Sequence, residues 1–369
     1  MLLVKPFLGC NRNCKYCFEG DYRQDNPPKM DHEIKLVLDS MEANLNGNRL
    51  VCLHGGEPLM LPKSDIEQIL KKGYQLTSRI AIQTNAFLLD DEHMELFKKY
   101  NTSVGISYDG FGNLNEARMN QGEAKEIWQK VKRLIEKGIR TSLIVVVSRA
   151  NAGTPNRLQR LKQFLIEARK LGTTRGRLNP CDHPDWMLDK ERLVKVYRDL
   201  AVFTMVNGLL WGPFTDIWNA LRHRGPVVCT FNDCDPFHTR SATVILGDGS
   251  VTNCIKMAIQ TNFIRHAKAT DMRSQILLSK PEEEGGCQGC SWWDNCHGGC
   301  PAAAIDKDWR NRTIFCSMYK AMFGLYRNVQ RWGDRGQSPL NCSQKVTQKL
   351  PPKTTRPKPE AKKITCTVT

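Results

Sequence analysis

Apolar and polar positions follow two rhythms over the first half of the chain. Short apolar runs, many of them β-branched, read as strands at Leu2–Phe7, Leu50–His54, Arg79–Thr84, Ser103–Tyr108, Thr141–Ser148 and Arg177–Asn179. Between them the spacing predicts helices over Asp31–Leu45, Ser64–Lys72, Asp90–Lys99, Lys125–Lys137 and Pro155–Leu171. Asp31, Asp90 and Thr154 carry side-chain oxygens that can accept the free N–H groups of a helix start. Pro155 suits a first turn, and Gly138 and Gly172 stand where helices should stop. Repeated strand–helix units imply a parallel sheet with right-handed crossovers. Six such units are too few for a closed eight-stranded barrel. The fold class expected is therefore α/β, a partial (β/α)6 barrel of the TIM type, with its chemistry at the C-terminal ends of the strands.

Beyond this region a helical stretch, Lys190–Arg224, leads into a cysteine-rich segment from Cys229 to Cys316. Within it, Ser241–Leu246 and Ser250–Asn253 flank Gly247-Asp248-Gly249, a hairpin signal. A last amphipathic segment, Ser317–Val329, is expected to pack back as a helix. The organisation expected is a core with bridging helices over 1–225, a cysteine-rich domain with its closing helix over 226–330, and a basic tail over 331–369. Residues 337–369 are rich in Pro, Thr and Lys and poor in core formers, so disorder is expected there.

Composition changes this picture in three respects. Hydrophobic residues make up 40% of the 369, enough for a full-sized core. Net charge is +16, of which +6 falls in residues 337–369, leaving a basic body that could attract an acidic partner or nucleic acid. No recognisable nucleic-acid module accompanies the charge, so nucleic acid is not expected as a partner. No run of 18 apolar residues occurs and the N-terminus does not read as a signal peptide, so no membrane span and a cytoplasmic location are expected. Fifteen cysteines in a reducing compartment are hard to explain as disulfides; ligation of metal or iron–sulfur is the natural use of closely spaced thiolates.

The loaded residues fall at strand ends. Cys10, Cys14 and Cys17 form C-x3-C-x2-C after the first strand, Gly55-Gly56-Glu57-Pro58 follows the second, Asn85 the third, and Asp109-Gly110 the fourth. A cubane cluster has four irons, so three local thiolates leave one iron open; a structural zinc site would need a fourth protein ligand, for which His32 is the nearest candidate.

C-x3-C-x2-C after a first strand, with Gly-Gly-Glu-Pro after the second, resembles the radical S-adenosylmethionine (SAM) superfamily. The resemblance implies that the open iron chelates the methionine amino and carboxylate groups. Reductive cleavage would then give a 5′-deoxyadenosyl radical that abstracts a substrate hydrogen. It further implies cofactor contacts from Tyr16, Gly55, Gly56, Glu57, Asn85, Ser107 and Arg118. Gln83-Thr84-Asn85 and Ser107-x-Asp109-Gly110 would be the strand-end segments lining the pocket.

Downstream, Cys234 and Cys254 on either side of the hairpin are followed by Cys287-x2-Cys290-x5-Cys296-x3-Cys300 and Cys316. This is similar to the seven-cysteine pattern of the SPASM domain, and Cys229 stands where related proteins carry an eighth. The resemblance implies two auxiliary 4Fe–4S clusters, one held by Cys229, Cys234, Cys254 and Cys300, the other by Cys287, Cys290, Cys296 and Cys316. With the first site this makes three clusters; C-x2-C pairs also suit zinc. Cys52 reads as core, Cys342 and Cys366 as incidental tail thiols, and Cys181 as a candidate that faces substrate.

Two kinds of SPASM enzyme are similar. Anaerobic sulfatase-maturing enzymes oxidise Cys or Ser to formylglycine and carry a carboxylate just after the cysteine that closes the hairpin. Here that position is Ile255, then Lys256. Maturases of ribosomal peptides (RiPPs) form crosslinks, epimerise residues or excise a tyramine unit from the backbone (spliceases), and fit the missing carboxylate better. The expected activity is thus oxidoreductase- or lyase-type radical modification of a precursor peptide with a leader. The chain starts at its first strand, so a separate small leader-binding protein is expected, with flavodoxin or ferredoxin as reductant. Lys256, Cys181, His54, His238 and Asp235 are the candidates for acid–base or hydrogen-donor roles. A non-catalytic electron-transfer protein is the alternative from another class.

Overall fold

The computed structural model describes residues 1–20, 32–173, 175–223, 228–239, 241–256 and 272–334. Asp31, the tail with Cys342 and Cys366, and the boundary expected near 225 lie outside them. Met1–Phe323 form one compact unit; the described part of Gly324–Thr369 is helical.

A nine-stranded sheet organises the first unit. Its strands are β1 (Leu2–Lys5), β2 (Val51–Leu53), β3 (Ile80–Thr84), β4 (Thr102–Ser107), β5 (Thr141–Val147), β6 (Arg175–Pro180), β7 (Leu210–Gly212), β8 (Thr243–Leu246) and β9 (Val251–Thr252). They lie in the order β7-β6-β5-β4-β3-β2-β1-β8-β9. Every neighbouring pair is parallel except β8 and β9. The α/β class and the run of six parallel strands stand as the spacing predicts, and a cysteine-rich region follows β7.

Two elements differ from expectation. Lys190–Arg224 is not one helix: helices Lys190–Val206 and Phe214–Leu221 flank the strand β7. Asn207-Gly208, with Gly208 at φ 61°, ends the first helix, and Pro213 prevents the second from starting sooner. The Gly247–Gly249 hairpin does form, but β8 also pairs in parallel with β1, matching Leu2 to Thr243 and Val4 to Ile245. The sheet therefore continues past β1 into the cysteine-rich region.

Local rules explain the helix bounds. Asp90 Oδ1 accepts from the His93 N–H at 3.0 Å, and Thr154 Oγ1 from the Arg157 N–H at 3.2 Å. The helix predicted from Lys125 starts earlier, at Gln121, because Asn120 and Glu123 form a reciprocal capping box. Gly172, at φ 118°, caps Pro155–Leu171. Tyr108, Phe111, Trp128 and Phe164 pack between sheet and helices, with Phe111 edge-on to both Trp128 and Phe164 at 4.9 and 5.0 Å. Among the described residues no helix is long and apolar enough to cross a membrane.

Ile245 is fully buried where β8 meets β1. Ile245→Ala should cost roughly 2–5 kcal/mol and lower the thermal midpoint; an unchanged midpoint would show that β8 does not belong to the core sheet.

Candidate functional site

Because β1 to β6 are parallel, the segments that follow them emerge on one edge of the sheet. The loop after β1 carries Cys10, Cys14 and Cys17, all partly exposed. It turns tightly, with the Cys17 N–H on the Cys14 carbonyl at 3.0 Å, and is tied to the β4 loop by the Lys15 N–H on the Ala117 carbonyl at 2.8 Å. Arg12 makes a two-pronged ion pair with Glu123, both contacts 2.8 Å, and stacks 3.9 Å over the Phe87 ring.

The loop after β2 lies directly on the cysteine loop. Gly56 N–H meets the Phe7 carbonyl at 3.2 Å, and Glu57 N–H the Gly9 carbonyl at 2.8 Å. A Cβ on Gly56 would stand 2.1 Å from the Gly9 oxygen, and one on Gly55 2.7 Å from the Phe7 oxygen. These glycines are required for close backbone approach. Glu57 is buried, and its carboxylate accepts from the Leu59 N–H at 3.0 Å, the Thr84 hydroxyl at 2.6 Å and the Asn85 N–H at 2.7 Å. Burial pushes its pKa up to about 7, against the pull of these three donors. Glu57 thus clamps the end of β3 to the β2 loop.

Asn85 and Arg118 reach the cysteines themselves. The Asn85 amide lies 3.7 Å from Cys10 Sγ and 2.8 Å from Asn11 Oδ1. Arg118 Nη1 lies 3.8 Å from Cys14 Sγ, and its Nε 3.5 Å from Asp109. Tyr16 is buried, donates its hydroxyl to Asp109, and lies beneath the Arg118 guanidinium at 5.4 Å. Burial works against the Arg118 charge, but Tyr16, Asp109 and Cys14 outweigh it and its pKa rises. Ser107 ends β4, half-buried.

Asp109 did not figure among the candidate contacts, yet it organises this wall. Its carboxylate takes the Val146 N–H at 2.8 Å besides Tyr16 and Arg118. The aspartate in the strand-end motif was the available signal. Lys5 was missed too: it is buried in β1, ion-paired with Glu19, and its Nζ lies 3.4 Å from the Ile255 carbonyl. A lysine inside an apolar strand was its only mark.

The acid–base candidates fall in different surroundings. Lys256 pairs with Asp182 at 2.5 Å and lies 5.1 Å over the Phe18 ring, next to Cys17 in sequence. Cys181, two residues past Asn179 on β6, is buried against Tyr16, Ala117 and Ala150, and burial pushes its thiol up to about 12. His54 is held neutral, its pKa lowered to about 4 by burial and by Lys5, and its Nδ1 is buried with no hydrogen-bond partner among the described residues. Asp235 accepts from the N–H groups of Phe237, His238 and Arg273 at 2.8, 3.1 and 2.8 Å and from His238 Nδ1 at 3.1 Å. It is fastened into the cysteine-rich loop rather than free to take a substrate proton.

The downstream cysteines fall into two neighbourhoods. Burial, with repulsion from Cys300 and Cys254, pushes Cys234 up to about 12, and Cys229 is within electrostatic reach of the same three. Cys287, Cys290, Cys296 and Cys316 line one pocket with Trp292, Trp293, Arg312, Lys320 and Phe323. Burial and its quartet neighbours push Cys287 up to about 11. Among the described residues no three His, Cys, Asp or Glu side chains converge on a single ion position; Cys287, Cys290, Cys296 and Cys316 line a shared pocket instead. Four thiols around one pocket, with Arg312 and Lys320 beside them, are of the chemistry that could hold a cubane's four irons.

Comparison with known proteins agrees with this geometry. Residues 4–161 match the Radical SAM superfamily, so the chain carries a radical SAM domain. Such a domain implies S-adenosylmethionine and one 4Fe–4S cluster. An uncharacterised protein of Archaeoglobus fulgidus is 36% identical over 29% of this chain and 24% of its own length. A serine-type anaerobic sulfatase-maturating enzyme of Bacteroides thetaiotaomicron is 30% identical over 42% of this chain and 41% of its own. The cysteine-type enzyme of Clostridium novyi is 22% identical over 87% of this chain and 94% of its own. The chain thus spans about a quarter of the Archaeoglobus protein and two fifths of the Bacteroides one. Among solved structures, native anSMEcpe with bound AdoMet and Cp18Cys peptide superposes with TM-score 0.68 at 19% identity, covering 90% of this chain and 99% of that one. Streptococcus suis SuiB bound to precursor peptide SuiA gives 0.56 at 18% identity, covering 85% and 75%.

Glu57→Gln should misplace Asn85, because the new amide can accept at only one oxygen and must turn N–H groups toward existing donors. The expected loss is about 1–3 kcal/mol in thermal or denaturant unfolding, with poorer iron retention at Cys10, Cys14 and Cys17. A variant as stable as the parent, with iron intact, would exclude the clamp.

Proposed function

We propose that this chain is a radical SAM maturase of a ribosomally made precursor peptide. When bound, the cluster and S-adenosylmethionine supply a 5′-deoxyadenosyl radical that takes a hydrogen from the substrate. Cys10, Cys14 and Cys17 would hold that cluster, with Asn85 donating toward the Cys10 sulfur and Arg118 toward that of Cys14. Backbone from Gly55 and Gly56, together with Ser107, Tyr16 and Arg118, forms the cofactor pocket, and Glu57 keeps Asn85 in place. The two downstream quartets hold auxiliary clusters. A leader-binding protein and a flavodoxin or ferredoxin donor complete the system.

The observation that carries the peptide reading over formylglycine formation is at position 255. Where the sulfatase-maturing enzymes have a carboxylate, this chain has Ile255, packed against Leu3, Cys52 and Val244. The next residue is a cation, and its partner Asp182 comes from the far side of the barrel, after β6. The higher TM-score to anSMEcpe and the Clostridium novyi relative support formylglycine generation as the second reading.

Anaerobically reconstituted protein, reduced with dithionite in the presence of S-adenosylmethionine, should release 5′-deoxyadenosine and hold about twelve irons per chain. Replacing Cys10, Cys14 and Cys17 together by Ala should abolish release and leave about eight irons; release from that variant would overturn the assignment. Conversion of a sulfatase-derived Cys or Ser peptide to formylglycine would replace the first reading by the second.

A further inference from the structure

Among the described residues, one buried charge in the cysteine-rich region has no carboxylate partner. Arg273 opens the helix Arg273–Ser279 and is 1% exposed. Its Nε donates to the Trp309 carbonyl at 2.7 Å. Nη1 donates to the carbonyls of Cys234, His297 and Gly299 at 3.3, 3.2 and 3.0 Å, and Nη2 to those of Gly298 and Asn311 at 3.4 and 3.0 Å. Every acceptor is a neutral backbone carbonyl. The nearby Asp235 carboxylate takes the Arg273 backbone N–H instead, and among the described residues the guanidinium makes no ion pair.

The carbonyls it gathers are unusual in origin. His297, Gly298 and Gly299 all have positive φ, at 50°, 74° and 72°. Successive left-handed residues bend the chain around the guanidinium. A Cβ on Gly298 would stand 2.4 Å from Leu277, and one on Gly299 2.4 Å from Thr313, so neither position admits a side chain without a shift. This turn runs from Cys296 to Cys300, the two thiols assigned to different clusters. The thiols within electrostatic reach of Arg273 come from both quartets: Cys234 and Cys300 of one, Cys287 and Cys296 of the other. Carbonyls satisfy the hydrogens of a buried guanidinium but not its charge, which calls for anions nearby.

We propose that Arg273 is a positioning residue shared by the two auxiliary clusters, fixing the turn that joins them and favouring the reduced state of both. The proposal rests on the two-cluster reading given above. A cation between two anionic clusters stabilises the more negative, reduced form of each, and the carbonyl cage holds it at one place relative to both.

The test is a potentiometric titration of the reconstituted full chain, followed by electron paramagnetic resonance, after iron has been counted. Arg273→Met should lower the reduction equilibrium of both auxiliary clusters about ten-fold, ~59 mV for a one-electron couple, and leave the Cys10–Cys17 cluster unchanged. Arg273→Lys, which keeps the charge and loses the fork, should keep both potentials near the parent's while lowering thermal stability. Loss of auxiliary iron from the Met variant but not the Lys variant would equally support the charge requirement. Unshifted potentials in Arg273→Met, a shift in one auxiliary cluster alone, or the same failure in both variants would overturn it. A parent protein holding only about four irons would instead remove the two-cluster reading beneath it.

Discussion

Everything at the barrel mouth depends on how closely two backbones can approach. The loop after β2 lies on the loop after β1 so tightly that Gly56 leaves no room for a methyl group. From that contact the order spreads outward. Glu57 is pinned by the Gly9 carbonyl through its own N–H and reaches the end of β3, which sets the backbone of Asn85. Asn85 in turn places an amide beside Cys10. On the other side, Asp109 gathers Tyr16, Arg118 and the β5 backbone, and Arg118 approaches Cys14. Cys10 and Cys14 are thus approached by groups that two buried carboxylates place, Asn85 through Glu57 and Arg118 through Asp109. A carboxylate so used is a geometric part, and its burial is tolerated because each of its oxygens has donors.

Much of this was legible in the sequence because it is written locally. Strand and helix periods, the caps at Asp90 and Thr154, the stop at Gly172 and the cysteine spacings all depend on residues a few positions apart. What escaped depends on partners far along the chain. β7 is three residues long and was absorbed into a helical reading, although Gly208 and Pro213 marked its limits. The pairing of β8 with β1 joins segments some 240 residues apart, and no local pattern reports it. Arg273 looks in sequence like any surface arginine; only the fold shows six carbonyls turned toward it. Asp235 and His238 show the reverse: side chains of catalytic type that the fold spends on holding a loop.

The positive net charge also acquires a different meaning. Part of it is not a surface field. Lys5, Arg118 and Arg273 are buried or nearly so, and each lies within reach of thiols that would carry negative charge when ligated. Lys256 adds a fourth cation facing Cys254 and Cys300. Such cations offset charge that the amino-acid count leaves out, so the formal excess overstates what an approaching partner would encounter.

The shared ladder between β1 and β8 sets a limit on how such a protein can be rebuilt. Strands in one sheet lie roughly 4.8 Å apart and cannot slide independently. The strand that launches the first cysteine loop and the strand that opens the hairpin before Cys254 are therefore neighbours in one ladder. A cysteine-rich region whose hairpin does not match β1 would strip that strand of its neighbour and leave an open ladder edge, which invites mispairing with other chains. Chimeras will tolerate exchange only if the first strand and the hairpin travel together, so two stretches far apart in the chain are inherited as a single part.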